Sequence, residues 1–302
     1  MKQKKKSLWM EILLFDIIVP LYNVKQEWVE RCLDSILSQS FKNYEVWICD
    51  GTPEANDSNK ELRKTISQKY PDFNYVRQTG IGVGQARNQA IRLGVNPFVA
   101  FLDGDDYWYP NWLEQAHTYI TNNMLDDEAT IIGEAEGTIQ MISKMKGNVW
   151  DVNITYHTFN PAEWKSEYHY YYIPKTPLFP SFTIMRRSRI EDVDGFREDI
   201  GVMEDIIFCS QVCGEKLNKE ETYRVVKIEG LFGWKESHEN NSAYGGNQSG
   251  LTHENYSEHF NLCSKIAEKY YHRTVENKPN DVDIEWWNYY SEFEQERIIK
   301  LI

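Results

Sequence analysis

Apolar and polar positions alternate with two different periods in the part of the chain up to residue 124. Short apolar runs predict buried strands at 13–19, 44–49, 74–76 and 97–102. Between these runs, apolar residues recur every three or four positions and predict four helices. Their apolar stripes are Trp28 to Leu37, Leu62 to Tyr70, 84–93 and Trp112 to Ile120, and Gly94 is suited to end the third helix. This order predicts an α/β fold, with a mainly parallel twisted sheet covered by helices on both faces.

The regular alternation weakens after residue 125. Strands are predicted at 130–142, 178–185 and 223–232, with a helix after Glu204 and further helices at the end of the chain. We therefore divide the chain into a basic N-terminal tail at 1–12, one domain at 13–250 and a C-terminal helical extension at 251–302. The domain is expected to consist of two halves, 13–124 and an α+β half at 125–250.

Composition narrows the class of protein. With 302 residues, of which 41% are hydrophobic, the chain can bury a substantial core. Its net charge of −13 argues against a nucleic-acid binder, because phosphate contacts require clustered basic residues. Five cysteines, an odd number, favour reduced thiols and a cytoplasmic protein. No apolar run is long enough to span a bilayer. For the lysine-rich tail, contact with an anionic membrane surface is the alternative to simple solvation.

A cluster of carboxylates, Asp103-Gly104-Asp105-Asp106, directly follows the apolar run at 97–102. Open α/β sheets bind ligands at the carboxyl ends of their strands. Asp103 and Asp105 would point the same way in an extended chain and could hold one divalent cation between them. The alternative is a polar turn, since Asp and Gly are common turn residues. However, carboxylates this close repel one another, and a cation or strong hydrogen bonds must offset that cost.

Three further loops follow predicted strands at the same edge of the sheet. They are Pro-Leu-Tyr-Asn at 20–23, Asp-Gly-Thr at 50–52 and a glycine-rich segment ending in Ala-Arg-Asn at 80–88. Together with the acidic motif, this ordered set resembles the family 2 glycosyltransferases, which have the GT-A (Rossmann-like) fold. The resemblance implies that 13–124 is the nucleotide-sugar half and 125–250 the acceptor half of a GT-A domain.

The resemblance also implies a binding site for a nucleoside-diphosphate sugar, with UDP as the expected nucleotide. Asp50 matches an acidic position that commonly contacts the base, although relatives often have Asp-Asp-Gly-Ser where this chain has Asp-Gly-Thr. Arg87 matches an arginine that positions the nucleotide or its phosphates. The full set of residues implied for nucleotide-sugar binding is Pro20, Tyr22, Asn23, Asp50, Arg87, Asn88, Asp103, Gly104 and Lys235.

The remaining implied residues concern the metal and the chemistry. Asp105 would be a direct ligand of Mn²⁺ or Mg²⁺, with Asp103 and His238 as further ligands. Asp205 matches the catalytic base, which takes a proton from an acceptor hydroxyl while that oxygen attacks the anomeric carbon. Glu204 and Trp234 are acceptor-side candidates. The implied reaction is a single displacement with inversion, and a metal-bound nucleoside diphosphate is the leaving group.

Several alternatives stay open. Glu204 and Asp205 also suit the start of a helix, where acidic residues interact favourably with the helix dipole. A catalytically silent carbohydrate-binding or scaffold protein of the same fold would be expected to lack a key carboxylate, whereas Asp103, Asp105 and Asp205 are all present. A nucleotidyltransferase would use similar metal chemistry. The expected partners are the nucleotide sugar and a glycan or lipid-linked acceptor, and a homo-oligomer is a further alternative.

Overall fold

A computed structural model of the chain describes residues 15–53, 57–124, 128–142, 149–156, 180–198, 204–213 and 224–236. In chain order the first elements are β1 (Phe15–Leu21), α1 (Gln26–Leu37), β2 (Tyr44–Asp50), α2 (Asp57–Lys69), β3 (Asn74–Arg77), α3 (Val83–Leu93), β4 (Phe98–Phe101), β5 (Tyr107–Trp108) and α4 (Trp112–Asn122). The later elements are β6 (Glu128–Ile142), β7 (Val149–Tyr156), a 3₁₀ turn (Pro180–Phe182), β8 (Thr183–Arg186), α5 (Arg187–Asp192), α6 (Glu204–Cys213) and β9 (Arg224–Lys235).

The nine strands of the described chain form one sheet in the order β3-β2-β1-β4-β8-β6-β9-β5, and β7 pairs with β6. The strands β1 to β4 are parallel, with Phe15 opposite both Tyr44 and Phe98. The strand β8 is antiparallel to both β4 and β6, and β9 is parallel to β6. The sheet therefore runs without a break from the predicted nucleotide-sugar half into the predicted acceptor half, and only the first half is purely parallel.

Two apolar clusters cover opposite faces of this sheet, as the alternation along β1 requires. Phe15, Ile17 and Val19 belong to the cluster formed with α1, α2 and α4. Ile18, on the opposite side of the same strand, belongs to the cluster formed with α3, α5 and α6. Successive side chains of a strand point to opposite faces, so β1 contributes to both clusters. The predicted α/β class, with helices on both faces, is confirmed.

The pattern-based elements are largely confirmed, with two corrections. Leu37, placed on the apolar stripe of α1, is 44% exposed. The predicted strand at 178–185 is shorter within the described residues, because Pro180–Phe182 form a 3₁₀ turn and β8 begins only at Thr183. Gly94 ends α3, as predicted, and its backbone is extended, with φ −78°. Glycine is required there for space, since a Cβ would collide with the carboxylate of Asp16.

The carboxylate of Asp16 is fully buried at the end of the sheet where β1 begins. It accepts hydrogen bonds from the side-chain and backbone nitrogens of Asn96, at 2.8 and 2.9 Å, and from the Trp47 indole at 3.2 Å. The guanidinium of Arg187 forms an ion pair with it and also donates to the carbonyls of Ile91 and Asn96. This network ties β1, the α3–β4 connection and α5 together, far along the chain from one another.

Some predictions lie outside the described residues. These are the tail at 1–12, the extension at 251–302 and the metal candidate His238. In the described part of the chain, every helix is too short or too polar to cross a membrane.

The Asp16 network generates a stability prediction. Arg187→Met leaves the Asp16 carboxylate buried without its cation, so we expect the free energy of unfolding to fall by about 3 kcal/mol or more. Urea denaturation followed by circular dichroism measures this loss. The control is Arg92→Gln, which removes an exposed ion pair with Glu198 and should cost less than about 1 kcal/mol. Equal losses in the two variants would contradict the structural role given to Arg187.

Candidate active site

The loops that follow β1, β2 and β3 are hydrogen-bonded to one another at the carboxyl edge of the sheet. The backbone N–H of Gly51 donates to the Leu21 carbonyl at 2.8 Å, and that of Gln78 donates to the Asp50 carbonyl at 3.0 Å. Asn23 has a left-handed backbone, φ 52°, and its N–H donates to the Thr52 hydroxyl at 2.9 Å. Asn tolerates this conformation better than most residues. Residues 20–23 and 50–52, at the ends of β1 and β2, thus form one fixed surface, on which Tyr22 is 39% exposed.

Asp50 ends β2 with a carboxylate that is almost fully buried. One carboxylate oxygen accepts the Thr52 N–H at 2.8 Å, and the other contacts the Tyr75 hydroxyl at 2.5 Å and the Arg77 guanidinium at 2.7 Å. Burial opposes ionisation, but the hydrogen bonds from Thr52 and Tyr75 and the charge of Arg77 outweigh it and lower the pKa of Asp50. Asp50 is therefore an ionised acceptor with a fixed orientation.

The acidic motif forms the turn between β4 and β5, and it separates its three carboxylates. Asp106 is fully buried, whereas the Asp103 side chain is 24% exposed and Asp105 is half-buried. Gly104 lies against β1, where a Cβ would collide with the Leu21 side chain. A larger residue at position 104 would therefore force the Leu21 side chain to move.

Asp106 connects the acidic turn to the second half of the sheet. Its carboxylate accepts the Ser181 hydroxyl at 2.6 Å and the Glu236 N–H at 2.8 Å, and it lies 3.5 Å from Nζ of Lys235. Burial, together with the charges of Asp105 and Asp103, raises the pKa of Asp106 to about 7, although Lys235 acts in the opposite direction. Asp106 thus stabilises the turn from within, while Asp103 and Asp105 remain as candidate ligands.

Trp234 and Lys235 lie beside the acidic turn because β9 pairs with β5, the strand that follows this turn. Trp234 lies opposite Tyr107, and the two rings are stacked at 6.4 Å between centroids. The charge of Arg87 lowers the pKa of Asp103, and the Lys235 ammonium group adds to this effect. Lys235, expected near the diphosphate, therefore lies beside the acidic turn.

Arg87 is the buried cation between the acidic turn and α6. Its guanidinium donates to Asp103 at 2.8 Å and to Glu204 at 2.9 Å, and it lies over the Phe196 ring at 5.2 Å. Its side chain is only 4% exposed. Asp103 and Glu204 are 101 residues apart in the chain, and the single guanidinium of Arg87 brings the predicted metal turn and the predicted base helix together.

Asn88, the next residue of α3, holds the turn that precedes α6. Its side-chain oxygen accepts the Phe196 N–H at 2.8 Å, and its amide nitrogen donates to the Phe196 carbonyl at 2.7 Å and to Glu198 at 3.0 Å. These bonds attach residues 196–198 to α3. Direct contact of Asn88 with a nucleotide stays a prediction.

Glu204 and Asp205 occupy the first turn of α6. Burial raises the pKa of Glu204 to about 7, the charge of Asp205 adds to this effect, and Arg87 opposes it. One guanidinium thus has three carboxyl groups in its electrostatic surroundings, those of Asp103, Glu204 and Asp205. Asp205 is half-buried and Glu204 almost fully buried, so Asp205 is the more accessible of the pair.

Asp103 and Asp105 form a donor set that suits a hard cation arriving with a phosphate ligand. No group of three or more His, Cys, Asp or Glu side chains suited to a metal occurs among the described residues. Magnesium at phosphate sites commonly takes one or two carboxylates, and phosphate oxygens and water complete its coordination. Carboxylate and water ligands also suit manganese. The residues present therefore fit Mg²⁺ or Mn²⁺ bound together with a diphosphate.

Sequence reasoning treated the acidic motif as one cluster and missed the separate role of Asp106. The sequence carries one signal, because Asp106, directly before β5, lies two positions from the apolar Trp108, and the structure buries both residues. The period of a strand places such residues on the same face. The contacts of Ser181 and Glu236 with Asp106 carried no such signal, since they depend on strands that pair across the whole chain.

Comparison with known proteins shows the fold and the family of this chain. The structure of S. aureus TarS 1–349 in complex with UDP-GlcNAc matches 89% of this chain and 68% of that one, with a TM-score of 0.58 and 18% identity. This similarity establishes the GT-A fold. The family described as Glycosyl transferase family 2 matches residues 16–194. The chain therefore belongs to glycosyl transferase family 2, a family of glycosyltransferase enzymes, and the predicted family is confirmed.

Curated relatives resemble a little more than a third of the chain. The uncharacterized glycosyltransferase YibD of Escherichia coli is 32% identical over 111 residues, which are 36% of this chain and 31% of YibD. The Escherichia coli protein WfgD, a UDP-Glc:alpha-D-GlcNAc-diphosphoundecaprenol beta-1,3-glucosyltransferase, is 33% identical over 117 residues, 38% of this chain and 44% of WfgD. The matched segments thus span less than half the length of these relatives.

The raised pKa of Glu204 generates a pH prediction. Below the unfolded value of 4.5 the carboxyl group is protonated in both states, and above about 7 the folded state carries the cost of burying its charge. As the pH rises from 5 to 8, wild type should lose stability relative to Glu204→Gln, by up to about 1.4 kcal/mol per pH unit between the two pKa values. Urea denaturation at several pH values measures this difference.

The matched control for this experiment is Glu191→Gln, because Glu191 is exposed in the same half of the chain. Its stability difference from wild type should stay nearly constant over the same pH range. A Glu204→Gln curve that runs parallel to the wild-type curve would contradict the raised pKa of Glu204.

Proposed function

We propose that this protein is a metal-dependent, inverting glycosyltransferase that moves a sugar from a UDP-sugar to a hydroxyl group of a glycan or lipid-linked acceptor. The observation that carries this proposal is the bridge from Arg87 to Asp103 and Glu204. The buried guanidinium of Arg87 contacts Asp103, a candidate carboxylate for donor binding, and Glu204, the neighbour of the candidate general base Asp205. An acceptor hydroxyl next to Asp205 would then lie near a sugar whose diphosphate is held by the acidic turn.

Asp50 supports a uridine donor. Its ionised, fixed carboxylate can accept a hydrogen bond from an N–H group of a base, and uracil carries one at N3. The names of the relatives agree, because WfgD acts on UDP-Glc and TarS was solved with UDP-GlcNAc. We propose that the nucleoside lies on the surface formed by residues 20–23 and 50–52. Tyr22, within the first of these segments, is exposed.

Asp103 and Asp105 are proposed to hold Mn²⁺ or Mg²⁺ together with the diphosphate. The cation supplies Lewis-acid stabilisation of the negative charge on the leaving diphosphate when it is bound. Lys235 adds a second positive charge beside the same turn, within 3.5 Å of Asp106. Gly104 keeps this turn close to the end of β1, so the phosphates and the nucleoside are bound at one edge of the sheet.

Asp205 is proposed as the general base. It accepts the proton of the acceptor hydroxyl as the oxygen forms a bond to the anomeric carbon and the bond from that carbon to the diphosphate breaks. Attack on the face opposite the leaving group inverts the configuration. Glu204 positions Asp205, because its bond to Arg87 fixes the first turn of α6. Trp234 is proposed as an acceptor-side residue, because it is half-buried and its ring stacks on Tyr107.

The acceptor class rests on the names of relatives alone. WfgD adds glucose to a sugar on diphosphoundecaprenol, and an Escherichia coli chondroitin synthase is 29% identical over 143 residues of this chain. We therefore propose a carbohydrate hydroxyl, free or lipid-linked, as the acceptor.

The proposed division of roles predicts different defects in two variants. Asp105→Asn should weaken Mn²⁺-dependent UDP binding, because a candidate ligand loses its charge. Asp205→Asn should bind UDP normally and lower the turnover number by about 100-fold to 10,000-fold, as expected for loss of a general base. Calorimetry measures binding. UDP release from UDP-Glc and UDP-GlcNAc, with a lipid-linked oligosaccharide mixture as acceptor, measures turnover.

Asp192→Asn is the matched control, since its side chain is 57% exposed on α5. It should bind and turn over donor as wild type does. Wild-type turnover by Asp205→Asn would exclude Asp205 as the base. UDP binding without turnover of any donor by wild type would favour the alternative, a catalytically silent relative.

A further inference from the structure

The side chain of Arg31, on α1, contacts the backbone of the acidic turn. One terminal nitrogen of its guanidinium donates to the carbonyl oxygen of Asp105 at 3.0 Å. The same nitrogen lies 2.6 Å from the carboxylate of Glu236, the residue that follows β9. Arg31 therefore joins three parts of the chain, namely α1, the acidic turn and the end of β9.

The shape of the guanidinium group is used as well as its charge. The group lies over the Tyr107 ring, with its central carbon 4.8 Å from the ring centroid. Tyr107 directly follows the acidic turn and stacks on Trp234. A planar cation can stack on an aromatic ring and donate from its edge at the same time, which an ammonium group does less well. Arg31 thus fixes both ends of the short segment from Asp105 to Tyr107.

The neighbouring contacts support the same restraint. Cys32, the next residue of α1, directs its sulfur to the Asp103 carbonyl at 3.6 Å. On the opposite side, Asp106 accepts the backbone N–H of Glu236 at 2.8 Å. The acidic turn and the end of β9 are therefore linked twice, once through buried Asp106 and once through the half-exposed pair of Arg31 and Glu236.

From this geometry we infer that Arg31 is a positioning residue for Asp105, and that its bonds to the Asp105 carbonyl and to Glu236 set the affinity of the site for a divalent cation. The inference rests on the proposed function, in which Asp105 is a metal ligand. The role inferred for Arg31 needs no contact with the sugar or the diphosphate. It acts by holding the backbone from which the Asp105 carboxylate projects, since a ligand held in place loses less freedom when the cation binds.

The test measures the Mn²⁺ concentration needed for half-maximal UDP binding, by calorimetric titration of UDP at a series of Mn²⁺ concentrations. Arg31→Gln should raise this concentration about tenfold or more, as is usual when a group behind a metal ligand is removed. Arg31→Lys should show a smaller increase, because it keeps the charge but not the planar group. Glu236→Gln should also show a smaller increase, because the bond to the Asp105 carbonyl remains.

Lys69→Gln is the matched control. Lys69 is exposed to a similar degree, 42% against 37% for Arg31, and it forms ion pairs with Glu30 and Asp34 on the same helix, α1. This variant should leave the Mn²⁺ dependence unchanged. The melting temperature of Arg31→Gln without ligands should match that of Lys69→Gln, which separates positioning of the site from general damage to the fold.

The outcomes separate this inference from the proposed function. If wild type and Arg31→Gln both bind UDP with the same Mn²⁺ dependence, the inference is overturned and the proposed function stands. If Arg31→Gln is too unstable to measure, an unchanged Mn²⁺ dependence in Glu236→Gln overturns the inference. If wild type binds no UDP at any Mn²⁺ concentration, the proposed function is overturned and this inference with it.

Discussion

The buried guanidinium of Arg87 is the contact on which the arrangement of the site depends. A cation with a 4% exposed side chain is costly to bury unless carboxylates surround it, and here Asp103 and Glu204 come from opposite parts of the fold to do so. Both carboxylates are in turn held in place by this one cation. Arg87 thus joins the acidic turn after β4 to the first turn of α6, and it brings the segment that contains Asp103 and Asp105 close to the segment that contains Glu204 and Asp205.

The partners of the individual carboxylates explain how several acidic residues can lie close together at this site. Asp103 is paired with Arg87, and Asp106 turns inward to Ser181, Lys235 and the Glu236 backbone. Repulsion within the acidic motif is thus relieved by giving two of its carboxylates different partners. Asp16 shows the same solution at the other end of β1, where Arg187 and Asn96 surround it. Buried carboxylates with several partners thus lie at both ends of the sheet, Asp16 where β1 begins and Asp106 at the carboxyl edge.

The features that depend on residues close together in the chain could be predicted from the sequence. In α1, for example, Val29, Cys32, Leu33 and Ile36 are buried as their spacing predicted. The loops that follow β1 to β4 are adjacent because parallel strands end at a common edge, so the gathering of the donor-site candidates could also be predicted. The pairing of Asp16 with Arg187, 171 positions away, could not, because neither residue has a periodicity that names its partner. The same holds for Arg31 with Glu236, and for the choice of Asp106 as the inward-facing aspartate.

The most direct test of the account is a calorimetric titration of the wild-type protein with UDP, GDP and CDP, each in Mn²⁺ and in EDTA. The account predicts binding of UDP that requires the cation, with weaker or no binding of the other two nucleotides, because the proposed function has the acidic turn hold the diphosphate through the metal and has Asp50 contact the base. Absence of binding by all three, or UDP binding of equal strength in EDTA, would contradict it.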